Sequence, residues 1–296
     1  MQKILFSSLI VIVFLTTACK STDKNIKSRK GENTEKSNAD RLLIDGIFID
    51  ANKERLQGNY QNALDLFAVV LNKDPKNSAS LYEIARIYQV QKKTSEAIQY
   101  AKKATEFDKN NIWFQLLLAD LYSSNQQYKE ATAIWANIVK NNPDKIESYY
   151  DWANAYIFEK KLDEAIKIYD QIEKKIGITE EVSLQKQKLY LTMDKFSKAV
   201  EEIEKLSAQS PNDIRYYAML AELHNKKKMY DKALIYYNKI LEKDPNDKFI
   251  HISLAGYYRE IGQKEKSYQE LKKGIGNSNL DIDTKIQILL SYYTVT

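Results

Sequence analysis

The sequence predicts an all-α fold: a stack of about seven helix-turn-helix units followed by one further helix. Three observations predict it. All four prolines, Pro75, Pro143, Pro211 and Pro245, stand 68, 68 and 34 residues apart, so they share one phase of a 34-residue period. Ala63, Ala97, Ala131, Ala165, Ala199 and Ala233 recur at the same interval without a break. Tyr88, Tyr122, Tyr156, Tyr190 and Tyr258 share a third phase, with His224 in the same slot. A period of this length marks small supersecondary units that bury their apolar faces only by stacking on their neighbours.

The chain opens on a short positive start, Met1-Gln2-Lys3, and an apolar run from Ile4 to Leu15 interrupted only by Ser7 and Ser8. A bilayer span takes about 20 residues, so this run is too short to cross and fits a signal-peptide core. Thr16-Thr17-Ala18-Cys19 follows, and Cys19 is the sole cysteine. A small residue and then cysteine after the apolar run resembles the lipobox of bacterial lipoproteins, with Leu15 one residue further out than that pattern's leucine. Residues 1–19 are therefore expected to be a lipoprotein signal peptide and Cys19 the lipidated residue. The alternative is an ordinary signal peptide with an incidental cysteine. A lone cysteine allows no internal disulfide, so packing alone must hold the fold.

Residues 20–43 are expected to be a flexible tether. From Lys20 to Asp40 the apolar residues are Ile26 and Ala39, and the rest is dominated by Lys, Ser, Asn, Glu and Thr. Such a segment buries too little surface to offset the entropy of ordering. Fully extended, it would reach roughly 70 Å.

The repeats are expected over 44–281. Within one unit, Leu81, Ile84, Ala85 and Tyr88 fall on one helical face, and Ala97, Ile98, Ala101 and Ala104 on the next. The polar Gln91-Lys92-Lys93-Thr94 joins them. Lys73-Asp74-Pro75-Lys76-Asn77 ends a unit, because proline has no N–H to donate and clashes with the preceding turn. Small residues at Ala51, Ala85, Ala119, Ala153, Ala221 and Ala255 let two helices approach, and the aromatic rung is expected to fill the space between them.

These rungs resemble tetratricopeptide repeats; Gly58-Asn59-Tyr60-Gln61-Asn62-Ala63-Leu64 and Met229-Tyr230-Asp231-Lys232-Ala233-Leu234 match that pattern well. The resemblance implies a right-handed α-solenoid of seven repeats. Local departures are Lys109, Gly177 and Asn279 in place of proline, Gln187 at a small rung and Ser267 at the alanine rung. The fifth repeat, near 180–213, departs most and is expected to pack irregularly. Residues 282–296 hold the last helix. Its Ile286, Ile288, Leu289, Leu290, Tyr292 and Tyr293 wrap most of the circumference, so one side is expected to stay exposed unless a second copy, a partner or further chain covers it.

Catalytic equipment is sparse. His224 stands in the aromatic rung and His251 at a helix-packing position, so both read as packing residues. No Cys/His cluster suits zinc. Gly274-Ile275-Gly276 reads as a helix break and not as a phosphate loop. The acidic residues are scattered along solvated faces. No enzyme activity and no cofactor are expected. The net charge of +5 raises nucleic acid as a partner. Yet Lys and Glu alternate, as in Glu201-Glu202-Ile203-Glu204-Lys205, and no basic patch interleaves with aromatics, so none is expected.

What remains is surface. The resemblance implies that the first helix of each repeat lines a concave groove. That stripe is Tyr82, Arg86 and Gln89 in repeat two, Leu116, Asp120 and Ser123 in repeat three, Tyr150, Asn154 and Ile157 in repeat four, and Leu184 and Lys188 in repeat five. It mixes aromatic anchors, an amide and both charge signs, which suits an extended peptide or a partner helix. The paired Lys and Asn with which some family members clamp a C-terminal carboxylate are not found. The expected function is a lipid-anchored scaffold or adaptor for a protein or peptide partner in the bacterial envelope, serving an outer-membrane, secretion or pilus machine. Lys20 after Cys19 carries no aspartate-type inner-membrane retention signal, which favours the outer membrane. The alternative is a surface lipoprotein that captures a nutrient or glycan. Such proteins carry long insertions between repeats, and here the repeats abut.

Overall fold

The computed structural model describes residues 22–294, with side chains from 38 to 292. The leader expected over 1–19, Cys19 included, lies outside the described residues. Among the described residues there are fifteen helices and no strand. They fall into two compact units that divide between Gln126 and Gln127.

The first unit holds α1 (Thr22–Leu56), α2 (Tyr60–Lys73), α3 (Ser78–Val90), α4 (Thr94–Phe107) and α5 (Ile112–Ser124). Its core gathers Ala51, Ala63, Phe67, Ile84 and Ile87, with the Phe48 and Phe67 rings 5.7 Å apart. The segment read as a flexible tether is helical instead: α1 begins at Thr22 and runs unbroken into the packed Phe48 and Ala51. No proline interrupts it, and a helix anchored at one end propagates at little further cost. At 1.5 Å per residue, 22 helical residues span only roughly 33 Å, about half the extended reach.

The second unit holds α6 (Tyr128–Asn141), α7 (Ile146–Phe158), α8 (Leu162–Ile176), α9 (Glu180–Thr192), α10 (Phe196–Gln209), α11 (Ile214–Lys226), α12 (Tyr230–Lys243), α13 (Ile250–Glu260), α14 (Lys264–Gly276) and α15 (Ile282–Thr294). One of its clusters collects Ala153, Ala165, Tyr169, Ile172 and Val182, and another Ile203, Leu220, Ala221, Ala233 and Ile240.

Two backbone rungs keep the 34-residue period. The first lies in the turn within each helical pair, where Gly58, Lys92, Gln126, Lys160, Asp194, Lys228 and Gly262 all have positive φ, between 53° and 83°. Only glycine holds this left-handed conformation without strain. Lys92, Lys160 and Lys228 are exposed, so glycine there should stabilise by about 0.5–1 kcal/mol each. Urea melts of the three variants measure this; a loss of stability in all three would mean that the turns relax otherwise.

The second rung caps the first helix of each pair. Asn77, Asn111, Thr179, Asp213, Asp247 and Asp281 each accept a backbone N–H in the following turn, as Asn77 does from Ser80 at 2.9 Å. Lys145 holds the same place without a side-chain cap. These caps satisfy donors that a helix start otherwise leaves orphaned.

The alanine rung is fully buried from Ala63 to Ala233, and Ser267 continues it. The Ser267 hydroxyl meets its polar need by donating to the Ala255 carbonyl at 2.6 Å. The tyrosine rung differs from expectation. Tyr88, Tyr122, Tyr156 and Tyr258 are only half-buried, and within the rung Tyr190 and His224 alone are buried as expected. The space between helices is filled instead from the second helices, by Phe67, Ala101, Trp135, Tyr169, Ile203, Tyr237 and Leu271, again 34 residues apart and all buried.

The fifth repeat is irregular in a specific way. Lys186 stands in a rung filled elsewhere by Ile84, Leu118, Leu220 and Leu254, and Glu202 in one that holds Ile168. Both are buried, and they pair at 3.0 Å. The glycines of 274–276 mark a helix end as expected: α14 stops at Gly276, two residues past Gly274. Gly274 gives room to α13: a Cβ there would lie 2.1 Å from the Ile252 Cδ1. On α15, Ile288, Leu289 and Tyr292 are half-buried, while Ile282, Ile286 and Leu290 form an exposed stripe. Arg259 fastens this helix, donating to the Tyr292 carbonyl at 3.0 Å and covering its ring.

Candidate functional site

Helical periodicity decides which side chains face water. On α3 the buried Leu81, Ile84, Ala85 and Ile87 claim one side, which turns Tyr82, Arg86 and Gln89 outward. All eleven stripe residues expected from the sequence are exposed or half-buried, and none is in the core.

In the first unit, Tyr82 of α3 reaches Phe114 of α5, with ring centroids 4.9 Å apart. Arg86 lies over the Tyr82 ring at 5.7 Å and donates to Glu83 at 3.2 Å, and Glu83 also binds Arg55 at 2.8 Å. Burial pushes the Tyr82 phenol up, with Arg86 opposing, so it is a neutral donor at pH 7. On α5, Leu116 is half-buried, Asp120 is exposed, and Ser123 spends its hydroxyl on the Ala119 carbonyl.

In the second unit, Tyr150 meets Tyr169 edge-on at 6.2 Å. Its phenol is pushed up by burial and then by the charge and hydrogen bond of Glu181. Asn154 on α7 and Lys188 on α9 are exposed. Ile157 and Leu184 pack partly against the core clusters, so they act more as floor than as free anchors.

The structure extends the stripe to residues the sequence reading left out. A cavity of about 490 Å³ opens between α11 and α13. Ala218, Glu222 and Asn225 of α11, with Gly256 and Arg259 of α13, line it. They lie 68 or 102 residues beyond Tyr150, Asn154 and Ile157, so carrying the 34-residue phase two repeats further would have found them. Tyr237 and Ile240 of α12 form its floor, with Tyr257 and Phe249 beside them.

One histidine is held by ring packing and the other by a carboxylate. His224 stacks on Tyr236 at 5.6 Å and meets Phe196 edge-on. Burial and then Lys232 hold its imidazole below the ordinary value, so it is neutral at pH 7. His251 Nδ1 contacts the Glu270 carboxylate at 2.6 Å. Among the described residues, no group of three His, Cys, Asp or Glu is placed to hold a metal ion.

Tetratricopeptide-repeat family models match residues 54–112 and 186–248, 90–151, and 146–174. Human tetratricopeptide repeat protein 21A is 23% identical over 214 residues, covering 63% of this chain; the chain spans only 16% of that relative. The structure of Naa15/Naa10 bound to HypK-THB aligns with 83% of this chain and 39% of its own, at 16% identity and a TM-score of 0.58. A tetratricopeptide repeat protein from Parabacteroides merdae aligns with 83% of this chain and 97% of its own, at 17% identity and a TM-score of 0.47. At 16% identity the likeness to Naa15/Naa10 speaks to the fold alone.

Proposed function

Since the chain carries tetratricopeptide repeats, a fold whose long helical faces serve protein–protein contact, we propose that it is a scaffold of the bacterial envelope, anchored by lipid at Cys19. The observation that carries this reading is the outward face of the first helices within each unit, Tyr82, Arg86, Gln89 and Asp120 in the first and Tyr150, Asn154 and Lys188 in the second, exposed or half-buried and mixing aromatic, amide and charged groups. Tyrosines and an amide on rigid helices suit an extended peptide or a helix, because they offer apolar area and hydrogen bonds at low entropic cost. The apolar run that ends at the sole cysteine supports anchoring, and the outer membrane is the proposed site.

The direct test uses the full chain in cells. A photo-cross-linking residue at Asn154 should give one discrete protein adduct. The same residue at Ile235, exposed on a second helix, should not. Equal capture at both positions, or none at either, overturns the docking reading. A fatty-acid probe should label the wild type and not Cys19→Ser; equal labelling removes the anchor.

The exposed Ile282, Ile286 and Leu290 of α15 support a second contact there, with another copy of the chain or a partner. Light scattering across a hundredfold dilution should show association that Ile286→Glu abolishes. A strictly monomeric wild type sinks the self-association form.

A further inference from the structure

The cavity between α11 and α13 exists because two stripe positions lose their side chains together. One stripe rung reads Tyr82, Leu116, Tyr150, Leu184, Ala218, Ile252 and Ile286. The next reads Arg86, Asp120, Asn154, Lys188, Glu222, Gly256 and Leu290. Ala218 and Gly256 are the smallest members of each, they sit on adjacent first helices, and both line the hole. A Cβ built at Gly256 meets nothing within 4 Å, so a larger residue would fit there without a clash. The gap therefore does not arise from packing need.

The walls and rim differ in character. Tyr237, Tyr257, Ile214, Ile240 and Phe249 supply aromatic and apolar wall. The two rim arginines are engaged. Arg215 is held by Asp213 at 2.7 Å and Glu180 at 3.2 Å. Arg259 is committed to the Tyr292 carbonyl and ring. The rim carboxylates are less compensated. Glu222 pairs only with the exposed Lys226 one turn along its own helix, and Glu260 makes no ion pair among the described residues. The Asn225 Oδ1, buried at the cavity, has no hydrogen-bond donor.

We propose that this cavity is an anchoring pocket for a basic side chain, arginine or lysine, of the docked partner. This rests on the stripe being the docking face and names the chemistry it selects there. The apolar stem of such a side chain lies along Tyr237, Tyr257 and Ile240, and its charged head meets Glu222, Glu260 and the Asn225 oxygen. Desolvated rings and carboxylates that are neutralised only in part favour a cation and disfavour an anion. The Tyr237 phenol reports the same field: burial, and then the Glu222 charge, push it up to about 12.

Three fluorescent nonapeptide pools test this, with Arg, Leu or Asp fixed at the centre and random flanks, titrated by anisotropy into the full chain in detergent. The Arg pool should bind about tenfold more tightly than the Asp pool, and more tightly than the Leu pool. Gly256→Leu fills the hole and should abolish that preference. Glu222→Gln with Glu260→Gln should weaken it and flatten its dependence on salt. Circular dichroism checks that each variant is folded. If Gly256→Leu does not fold, Gly256→Ser takes its place and should cut the preference at least threefold, about 0.65 kcal/mol. Equal binding of the Arg and Leu pools, an unchanged preference in the filled variant, or no binding by any pool overturns the pocket. Cross-linking at Asn154 judges the docking face separately, so either reading can fail without the other.

Discussion

Lys186→Leu should cost about 3 kcal/mol of stability, and Lys186→Leu with Glu202→Leu should recover most of it. Lys186 is buried, and its ammonium is held by Asp170 at 2.8 Å, Glu173 at 2.6 Å and Glu202 at 3.0 Å. Burial alone would lower its pKa. The three carboxylates more than offset that, and its pKa ends well above the ordinary lysine value. Leucine suits the rung sterically, since Leu118, Leu220 and Leu254 occupy it elsewhere. What the single change leaves is a buried Glu202 carboxylate stripped of one of its two cations.

Breaking a buried pair in this way costs about 3–5 kcal/mol. Lys205 still reaches Glu202 at 3.0 Å and Glu173 at 3.3 Å, which argues for the lower end. Removing both charges restores the apolar rungs, and such replacements are often neutral or stabilising. Glu173 sets the pH window. Burial raises its pKa, Lys186 and Lys205 lower it more, and the net shift is down from 4.5. A carboxylate depressed in the folded state stabilises above its unfolded pKa and loses that contribution as pH falls through the folded value. The wild type should therefore lose stability below about pH 4.5, more steeply than the double variant. Urea melts of the two variants at pH 7 and pH 3.5 measure this. Equal stability of Lys186→Leu and the wild type would show that the cluster contributes nothing.

Tyr169→Ala should cost about 3–5 kcal/mol, as truncation of a fully buried large aromatic does. Its ring is 2% exposed and packs with Ala153, Ala165, Ile172 and Val182. Burial, with Tyr150 and Glu181 adding, raises its phenol to about 12, so it enters the core neutral. Tyr156 is the informative contrast. It belongs to a rung that sequence periodicity marks, yet it is half-buried, and its alanine variant should cost only roughly 1–2 kcal/mol. If Tyr156→Ala proved the costlier of the two in urea melts, the assignment of core and half-buried aromatics would be reversed.

The site was legible in part. The outward phase of Tyr82, Arg86, Tyr150 and Asn154 follows from helical spacing alone, because buried Leu81, Ile84, Tyr149 and Ala153 leave them only the wet side. The cavity was not legible, although its residues share that phase. Its volume arises from Ala218 and Gly256 being neighbours across two helices, a relation that a one-dimensional pattern does not display.

By itself the sequence determined the all-α class, the 34-residue unit, the places where helices stop and the alanine rung at which they cross. These follow from local rules: proline cannot continue a helix, and only a small side chain permits close approach. The tertiary structure decided the rest. It showed that α1 extends back to Thr22, that the second helices fill more of the core than the tyrosine rung does, and that Gly274 makes room for Ile252 just before α14 ends at Gly276. It also showed that the misfit Lys186 and misfit Glu202 neutralise each other. All but the first of these depend on which helix lies against which. Burial and charge pairing are properties of neighbours in space, and for these residues the neighbours come from other helices.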